Sequence, residues 1–180
     1  AQRLAAHLRA YLPGAHRAGS LLRLAALLHN AGRGTAPAAA GRLLDRETLS
    51  ASVAATVMRR LCFSGAETTR VRETVRNSRR PWQLAEEGQG QVPRREAYRF
   101  YRESGSGGVD AVLLSLADHL ASADQQPERG HWERHVSASV QLLHAYYEQY
   151  DQVVAPPPLV DGHELMATLN LAEGPGLGAL

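Results

Sequence analysis

Apolar residues recur every three or four positions along most of this chain, which is the period of an amphipathic α-helix. This spacing predicts helices over residues 1–11, 20–30, 46–61, 65–78, 93–103, 109–122 and 131–150. Pro81 opens a further short helix, since proline is well placed in a first helical turn. Alternating polar and apolar residues, the pattern of a half-buried strand, are absent, and so are repeats of fixed period. The pattern therefore predicts an all-α fold.

The apolar positions also predict which helix faces are buried. Val71 and Val75 mark the buried face of the helix over 65–78. Two other helices carry longer apolar stripes, made of Leu49, Val53, Val57 and Leu61 in one and of Trp132, Val136, Val140, Leu143 and Tyr147 in the other. The glycine-rich segment from Gly105 to Gly108 is predicted to be a flexible loop.

Length and composition suit one domain with a short appendage. The chain has 180 residues, of which 44% are apolar, so it can bury a sizeable core. A helical domain is predicted over 1–153, followed over 154–180 by a proline-rich spacer and a glycine-rich end. The single cysteine, Cys62, excludes an internal disulfide and is predicted to be a buried thiol. No apolar run is long enough for a membrane span, and we expect a cytoplasmic protein.

Positive charge is concentrated in one part of the chain. All 20 basic residues are arginines, and the net charge is only +2. Residues 59–102, however, hold eleven arginines and five acidic residues, a local charge of +6. This asymmetry fits a surface that faces phosphates, and it equally fits an ordinary solvated helical face.

Residues 24–33 read Leu-Ala-Ala-Leu-Leu-His-Asn-Ala-Gly-Arg, an apolar helix that runs into His29 and Asn30 and then into a glycine turn. This stretch resembles the central helix of the HD metal-phosphohydrolase superfamily, in which the adjacent pair is His-Asp. An HD site needs imidazole and anionic oxygen ligands around a divalent ion. Asn30 keeps a carbonyl oxygen but lacks the charge, which makes the survival of a metal centre the first functional question.

Three further segments extend the resemblance. Residues 57–84, 99–121 and 162–178 are similar, in the same order, to motifs of the HD segment of bacterial tRNA nucleotidyltransferases and poly(A) polymerases. The similarity covers about residues 20–180. It implies an HD-domain-like helical bundle with a short C-terminal helical appendage. It also implies that nucleotide transfer would belong to a separate N-terminal domain, because the paired aspartates of that domain are not in this sequence.

Matched residue by residue, the resemblance leaves a vestigial HD site. His29 and Asp118 match two of the family's ligands, whereas Asn30, Arg46 and Ser78 stand where an aspartate and two histidines are usual. The guanidinium of Arg46 would bring a permanent positive charge next to any cation bound at this site. We therefore expect no metal, no cofactor and no catalytic residue, with the arginine in the place of the ion and paired with Asp118.

The remaining histidines do not replace the missing ligands. His7 lies on a short helix and is a poor substitute for the family's first histidine. His131 and His135 have i,i+4 spacing but lack the glutamate of a zincin motif. We expect these two, together with His119 and His144, to be solvated or to lie at an interface.

Arginines provide the candidate RNA contacts. Arg72, Arg76 and either Arg79 or Arg80 are predicted to share one helical face, where guanidinium forks suit a phosphate backbone. Aromatic residues that could stack on bases follow them: Trp82, Tyr98 and Tyr101. The alternative is a solvated face with the tryptophan packed inward.

Two glycines near the end of the chain suggest a second phosphate contact. Gly174 and Gly176 would open a helix whose free N–H groups can bind a phosphate. The alternative is a tight turn that packs on Leu165 and Leu169.

Three functions follow as hypotheses. The first is an RNA-binding helical body of a tRNA nucleotidyltransferase-like or poly(A) polymerase-like protein, inactive as an enzyme on its own, with a tRNA-like RNA as partner. The second is a metal-dependent HD phosphohydrolase acting on a nucleotide or a cyclic phosphodiester. The third is a scaffold that binds a protein or a nucleotide in the old cleft, with Arg46 gripping a phosphate.

Overall fold

The computed structural model describes residues 2–11, 16–34, 46–122 and 129–157. The helices are α1 Gln2–Arg9, α2 Ala18–Leu28, α3 Arg46–Arg60, α4 Gly65–Arg76, α5 Arg80–Glu87, α6 Arg94–Ser104, α7 Gly108–Ser122 and α8 Arg129–Glu148. Short 3₁₀ turns occupy Ala31–Gly34 and Gly105–Gly107, and a π-helical turn, Tyr150–Val154, follows α8. The predicted all-α class is confirmed: within these ranges no β-strand forms, and Tyr11 and Arg17 make one isolated bridge.

Local sequence sets where α4 and α5 begin. Ser64 and Glu67 form a capping box, in which the Ser64 hydroxyl accepts from the Glu67 N–H and the Glu67 carboxylate accepts from the Ser64 N–H. This exchange satisfies two donors that a helix start otherwise leaves free. Pro81 lies in the first turn of α5, as its sequence position predicts. The turn between the two helices separates Arg79 and Arg80 from the end of α4.

The core consists of two clusters that both include residues of α7. The first cluster joins α7 to α2, α3 and α4 through Leu21, Ala25, Ala51, Ala54, Met58, Val71, Val75 and Leu114. The second joins α7 to α5, α6, α8 and the π-helical turn through Leu84, Ala97, Phe100, Tyr101, Ala111, Val112, Leu142, Ala145 and Val153. The predicted burial of Val71 and Val75 is confirmed. Because α7 packs in both clusters, it fixes the two halves of the bundle relative to each other.

The two longer apolar stripes predicted from sequence lie beside the buried faces of their helices and are at most partly buried. The buried residues of α3 are Ser50, Ala51, Ala54, Ala55 and Met58, and those of α8 are His135, Ala138, Ser139, Leu142 and Ala145. Leu61 and Val140, both predicted inside, are 59% and 58% exposed. Small side chains let α3 approach its neighbours closely: a Cβ on Gly32 would lie 2.5 Å from the backbone nitrogen of Ser50.

The structure also corrects the predictions for the glycine-rich segment, for Cys62 and for the domain boundary. Gly105–Gly107 is a 3₁₀ turn rather than a flexible loop, and Gly107 is buried beside Thr74 of α4. Cys62 is exposed, because it lies in the turn after α3 with a positive φ of 59°. Val153 is 3% exposed, so the predicted domain boundary falls within a turn that packs on the core. The appendage from residue 158 onward lies outside the described residues.

None of the described helices is long and apolar enough to cross a membrane.

Candidate functional site

His29 and Asp118 connect the end of α2 to α7. His29 follows the last residue of α2, and its Nε2 lies 3.0 Å from Asp118 Oδ1. Its Nδ1 donates to the carbonyl oxygen of Ala26 at 2.6 Å, which fixes the ring orientation. The two side chains that were predicted to pair are therefore within hydrogen-bond distance. The pair is only partly buried, because 37% of the Asp118 side chain is exposed.

Asn30 contacts this pair in a way that an ionised aspartate cannot. A metal-bound histidine commonly donates one ring N–H to a carbonyl and directs the lone pair of its other nitrogen at the ion. His29 keeps the first feature through Ala26. Its Nε2, however, lies 2.8 Å from Asn30 Nδ2 as well as 3.0 Å from Asp118 Oδ1, and it either accepts from the amide or donates to the carboxylate. An ionised aspartate has no hydrogen to donate. In either arrangement, the nitrogen that a metal would need already faces a side chain of the protein.

The other two vestigial positions do not join the pair. Arg46 is exposed in the first turn of α3, and among the described residues it forms no ion pair with Asp118, so that expected contact is wrong. An arginine at an exposed helix start keeps its guanidinium hydrated, and His29 already contacts the carboxylate. Ser78 is buried just after α4, where its hydroxyl donates to the Val75 carbonyl at 2.9 Å.

This set of donors does not fit the metal ion that the HD resemblance implies. Across 2–11, 16–34, 46–122 and 129–157, no three His, Cys, Asp or Glu side chains are grouped so that they could hold an ion. Asp118 offers one carboxylate, and His29 Nε2 lies within hydrogen-bond distance of both that carboxylate and the Asn30 amide. One negative charge and an occupied nitrogen are too few for a divalent cation, which in such sites takes several anionic or imidazole ligands.

A second polar cluster, which the sequence analysis missed, lies inside the bundle. Arg70 Nε donates to Asp110 Oδ2 at 2.6 Å, and the two side chains are 8% and 1% exposed. His7 joins them, with its Nε2 2.8 Å from Asp110 Oδ1 and 3.0 Å from Arg70 Nη2. The cluster ties α1, which buries none of its own residues, to α4 and α7. The signal that could have found it is an aspartate inside the apolar sequence of α7.

Ser115 and His135 form a buried pair that resembles a nucleophile and its base. The Ser115 hydroxyl lies 3.0 Å from His135 Nε2. His135 is fully buried, and its Nδ1 has no hydrogen-bond partner among the described residues. Burial lowers the pKa of His135 to about 4. Catalytic pairs of this kind need a third group that orients the histidine, and a substrate that can reach the hydroxyl; a buried hydroxyl gives no access, so the pair is structural.

The sequence predicted that His119, His131, His135 and His144 are solvated or lie at an interface. For His135 this prediction is wrong, because its side chain is fully buried. His119 packs against Trp132 and His135, with ring centroids 5.4 and 5.2 Å apart. His131 Nδ1 lies 2.9 Å from a carboxylate oxygen of Glu86, and it remains partly exposed. The i,i+4 pair on α8 therefore has its two rings in different surroundings.

Four arginines lie at the end of α4 and just after it, and we call Arg72, Arg76, Arg79 and Arg80 the arginine patch. The predicted shared helical face holds only for Arg72 and Arg76, because α4 ends at Arg76 and α5 begins at Arg80. The cause is the turn over 77–79, in which Asn77 Nδ2 donates to the Glu73 carbonyl and ends the helix.

Three members of the patch contact glutamates. The pairs are Arg72–Glu73 at 2.6 Å, Arg79–Glu47 at 3.3 Å, and Arg80 with Glu87 at 3.3 Å and with Glu96 at 3.5 Å. Arg76 is exposed, and within the described part of the chain it has no ion-pair partner. The patch is therefore one uncompensated cation beside three compensated ones.

The aromatic residues near the patch differ in what they can reach. The guanidinium of Arg79 lies 5.9 Å from the ring centre of Trp82, which is partly buried. Tyr98 is also partly exposed. Tyr101 is 4% exposed and donates its hydroxyl to the Leu142 carbonyl at 2.8 Å, so its predicted stacking on a base is wrong.

Gly174 and Gly176, the other predicted RNA contacts, lie outside the described residues. No protein-family model matches this sequence, and no curated protein is significantly similar to it.

Proposed function

We propose that this chain is an RNA-binding helical module, similar to the body of bacterial tRNA nucleotidyltransferases and poly(A) polymerases. The expected partner is a tRNA-like RNA, held mainly through its backbone phosphates. The observation that carries the proposal is the arginine patch, in which Arg72 and Arg79 are about half exposed (47% and 52%) and Arg76 is exposed as well.

The donor geometry of the patch suits phosphate groups. A guanidinium presents several N–H donors in a plane, which matches the oxygens of a phosphate. Arg79 lies over an indole, so the ring limits the orientations of this guanidinium while it remains open to solvent. The surrounding segment, 59–102, carries a charge of +6, which favours approach of a polyanion.

Metal-dependent phosphohydrolysis is the competing function, and the surroundings of His29 argue against it. Hydrolysis of this type needs an ion that polarises the phosphate and activates water. The amide nitrogen of Asn30 lies 2.8 Å from the His29 nitrogen that would bind such an ion. We infer that the site holds α2 and α7 together and does not act on phosphoesters.

The test is binding of a fluorescently labelled tRNA transcript, followed by anisotropy at several salt concentrations. About four phosphate contacts give a slope near −3 in log affinity against log salt, which is a loss of roughly fiftyfold between 50 and 200 mM. A parallel assay with bis-p-nitrophenyl phosphate and Mn²⁺ should show no hydrolysis. Absence of RNA binding, or turnover of the phosphodiester, would contradict the proposal.

A further inference from the structure

The glutamates that face the arginine patch have a consequence for how tightly RNA would bind, and this inference rests on the proposed function. We propose that Glu73 and Glu47 compete with RNA phosphates for Arg72 and Arg79, so that these two carboxylates limit the affinity of the patch. Arg76, which has no competing carboxylate among the described residues, makes the first phosphate contact.

The contact between Arg72 and Glu73 uses the donors that a phosphate would need. Arg72 Nε and Nη2 both donate to Glu73 Oε1, at 3.0 and 2.6 Å. The two donors form one edge of the guanidinium, which is the edge that grips a phosphate in a bidentate contact. Glu73 is mostly covered, with 14% of its side chain exposed, while Arg72 faces solvent. Phosphate binding therefore has to displace a carboxylate that stays close by.

Arg79 is held in a similar way by a residue of another helix. Its Nη1 donates to Glu47 Oε1 at 3.3 Å, and Glu47 lies in the first turn of α3. The partial positive charge of a helix start favours a carboxylate at this position. Arg79 nevertheless remains 52% exposed, which leaves room for an exchange of partners.

The remaining two members of the patch, Arg80 and Arg76, face the most and the least competition from carboxylates. Arg80 contacts both Glu87 and Glu96 and is 32% exposed, so it is the most strongly compensated. Arg76 is exposed and uncompensated among the described residues. The expected order of contact with RNA is thus Arg76 first, then Arg72 and Arg79 by exchange.

The experiment is anisotropy of the labelled tRNA with Glu47→Gln, Glu73→Gln and the double variant. Glutamine keeps the size of the side chain and removes its charge. The matched control is Glu133→Gln, an equal charge change at an exposed residue of α8 that has no ion pair among the described residues. We expect each substitution in the patch to tighten binding about threefold, and the pair about tenfold, as for exposed charge pairs. The control should change affinity by much less, and circular dichroism checks that every variant folds.

The outcomes separate this inference from the proposed function. If the wild-type chain binds the RNA and neither single variant gains more than Glu133→Gln, the competition is refuted and the RNA-binding function stands. If no variant and no wild-type protein binds the RNA, the proposed function fails and the inference falls with it. A gain in RNA affinity that is confined to Glu47→Gln and Glu73→Gln supports both the competition and the RNA-binding function.

Discussion

Arg70 and Asp110 meet at 2.6 Å between α4 and α7, with 8% and 1% of their side chains exposed. Desolvation offsets much of the attraction in such a pair, so the pair itself adds little to the free energy of folding. Removing one partner is different, because it leaves an uncompensated charge in the interior. With His7 as a third member, the cluster fixes how α1, α4 and α7 pack together.

Truncation of Asp110 should therefore be strongly destabilising. We expect Asp110→Ala to lower the free energy of unfolding by about 3–5 kcal/mol, since it leaves Arg70 buried without a carboxylate. Urea denaturation followed by circular dichroism measures this loss. Asp151→Ala, at an exposed position, is the control and should cost less than about 0.5 kcal/mol. Equal small effects of the two substitutions would mean that the cluster does not stabilise the fold.

The buried imidazole of His135 should make stability depend on pH. Burial lowers the pKa of His135 from 6.5 to about 4. The unfolded chain therefore binds a proton between these values that the folded chain does not. The contribution of this residue is complete above about pH 6.5 and is lost as the pH falls toward 4.

The expected size of this effect is about 2 kcal/mol between pH 7 and pH 5. Urea denaturation at the two pH values, for the wild type and for His135→Gln, isolates it, since glutamine does not titrate and keeps an amide near Ser115. Glu86 does not contribute to this difference. The hydrogen bond from His131 is the largest cause that lowers the pKa of Glu86, so the stability that Glu86 contributes is lost only below the range from pH 7 to pH 5. If the free energy of unfolding depended on pH in the same way in the wild type and in His135→Gln, His135 would not be the group responsible.

Helix periodicity predicted the class of the fold because the spacing of apolar residues is a local property. It did not predict the buried faces of α3 and α8, where alanine and serine pack because the neighbouring backbone comes close. Leu61 and Val140 were expected inside by their hydrophobicity and lie outside. A count of apolar side chains cannot reveal this, since the space left by a partner helix depends on long-range packing.

The candidate site was predicted in composition but only partly in arrangement. The pairing of His29 with Asp118 follows from the resemblance and is present, whereas the pairing of Arg46 with Asp118 is absent. The Arg70–Asp110 cluster joins residues 40 positions apart, and the glutamates that contact the arginine patch come from four different helices. Contacts of this kind depend on tertiary structure, which the spacing of residues along one helix does not encode.

Restoring the missing aspartate should not restore a metal site. In Asn30→Asp the amide donor disappears and a second carboxylate joins Asp118, but the other positions of the vestigial site remain Arg46 and Ser78. Two carboxylates and one imidazole bind Mn²⁺ weakly when the rest of the shell is water. After equilibration with Mn²⁺ and gel filtration, elemental analysis should find much less than one ion per chain. A content of one Mn²⁺ ion per chain would show that Asn30 alone prevents metal binding in the wild type.

RNA binding by the patch should depend most on Arg76, the member of the arginine patch without a carboxylate partner among the described residues. The most direct test compares the affinity of labelled tRNA for the wild type, for Arg76→Glu and for Arg129→Glu, a reversal in the first turn of α8 that a helix start tolerates. Loss of a phosphate contact predicts that Arg76→Glu weakens binding at least tenfold and makes the salt slope shallower by about 1, with Arg129→Glu close to wild type. Equal affinities for the two variants would contradict the assignment of RNA binding to this patch.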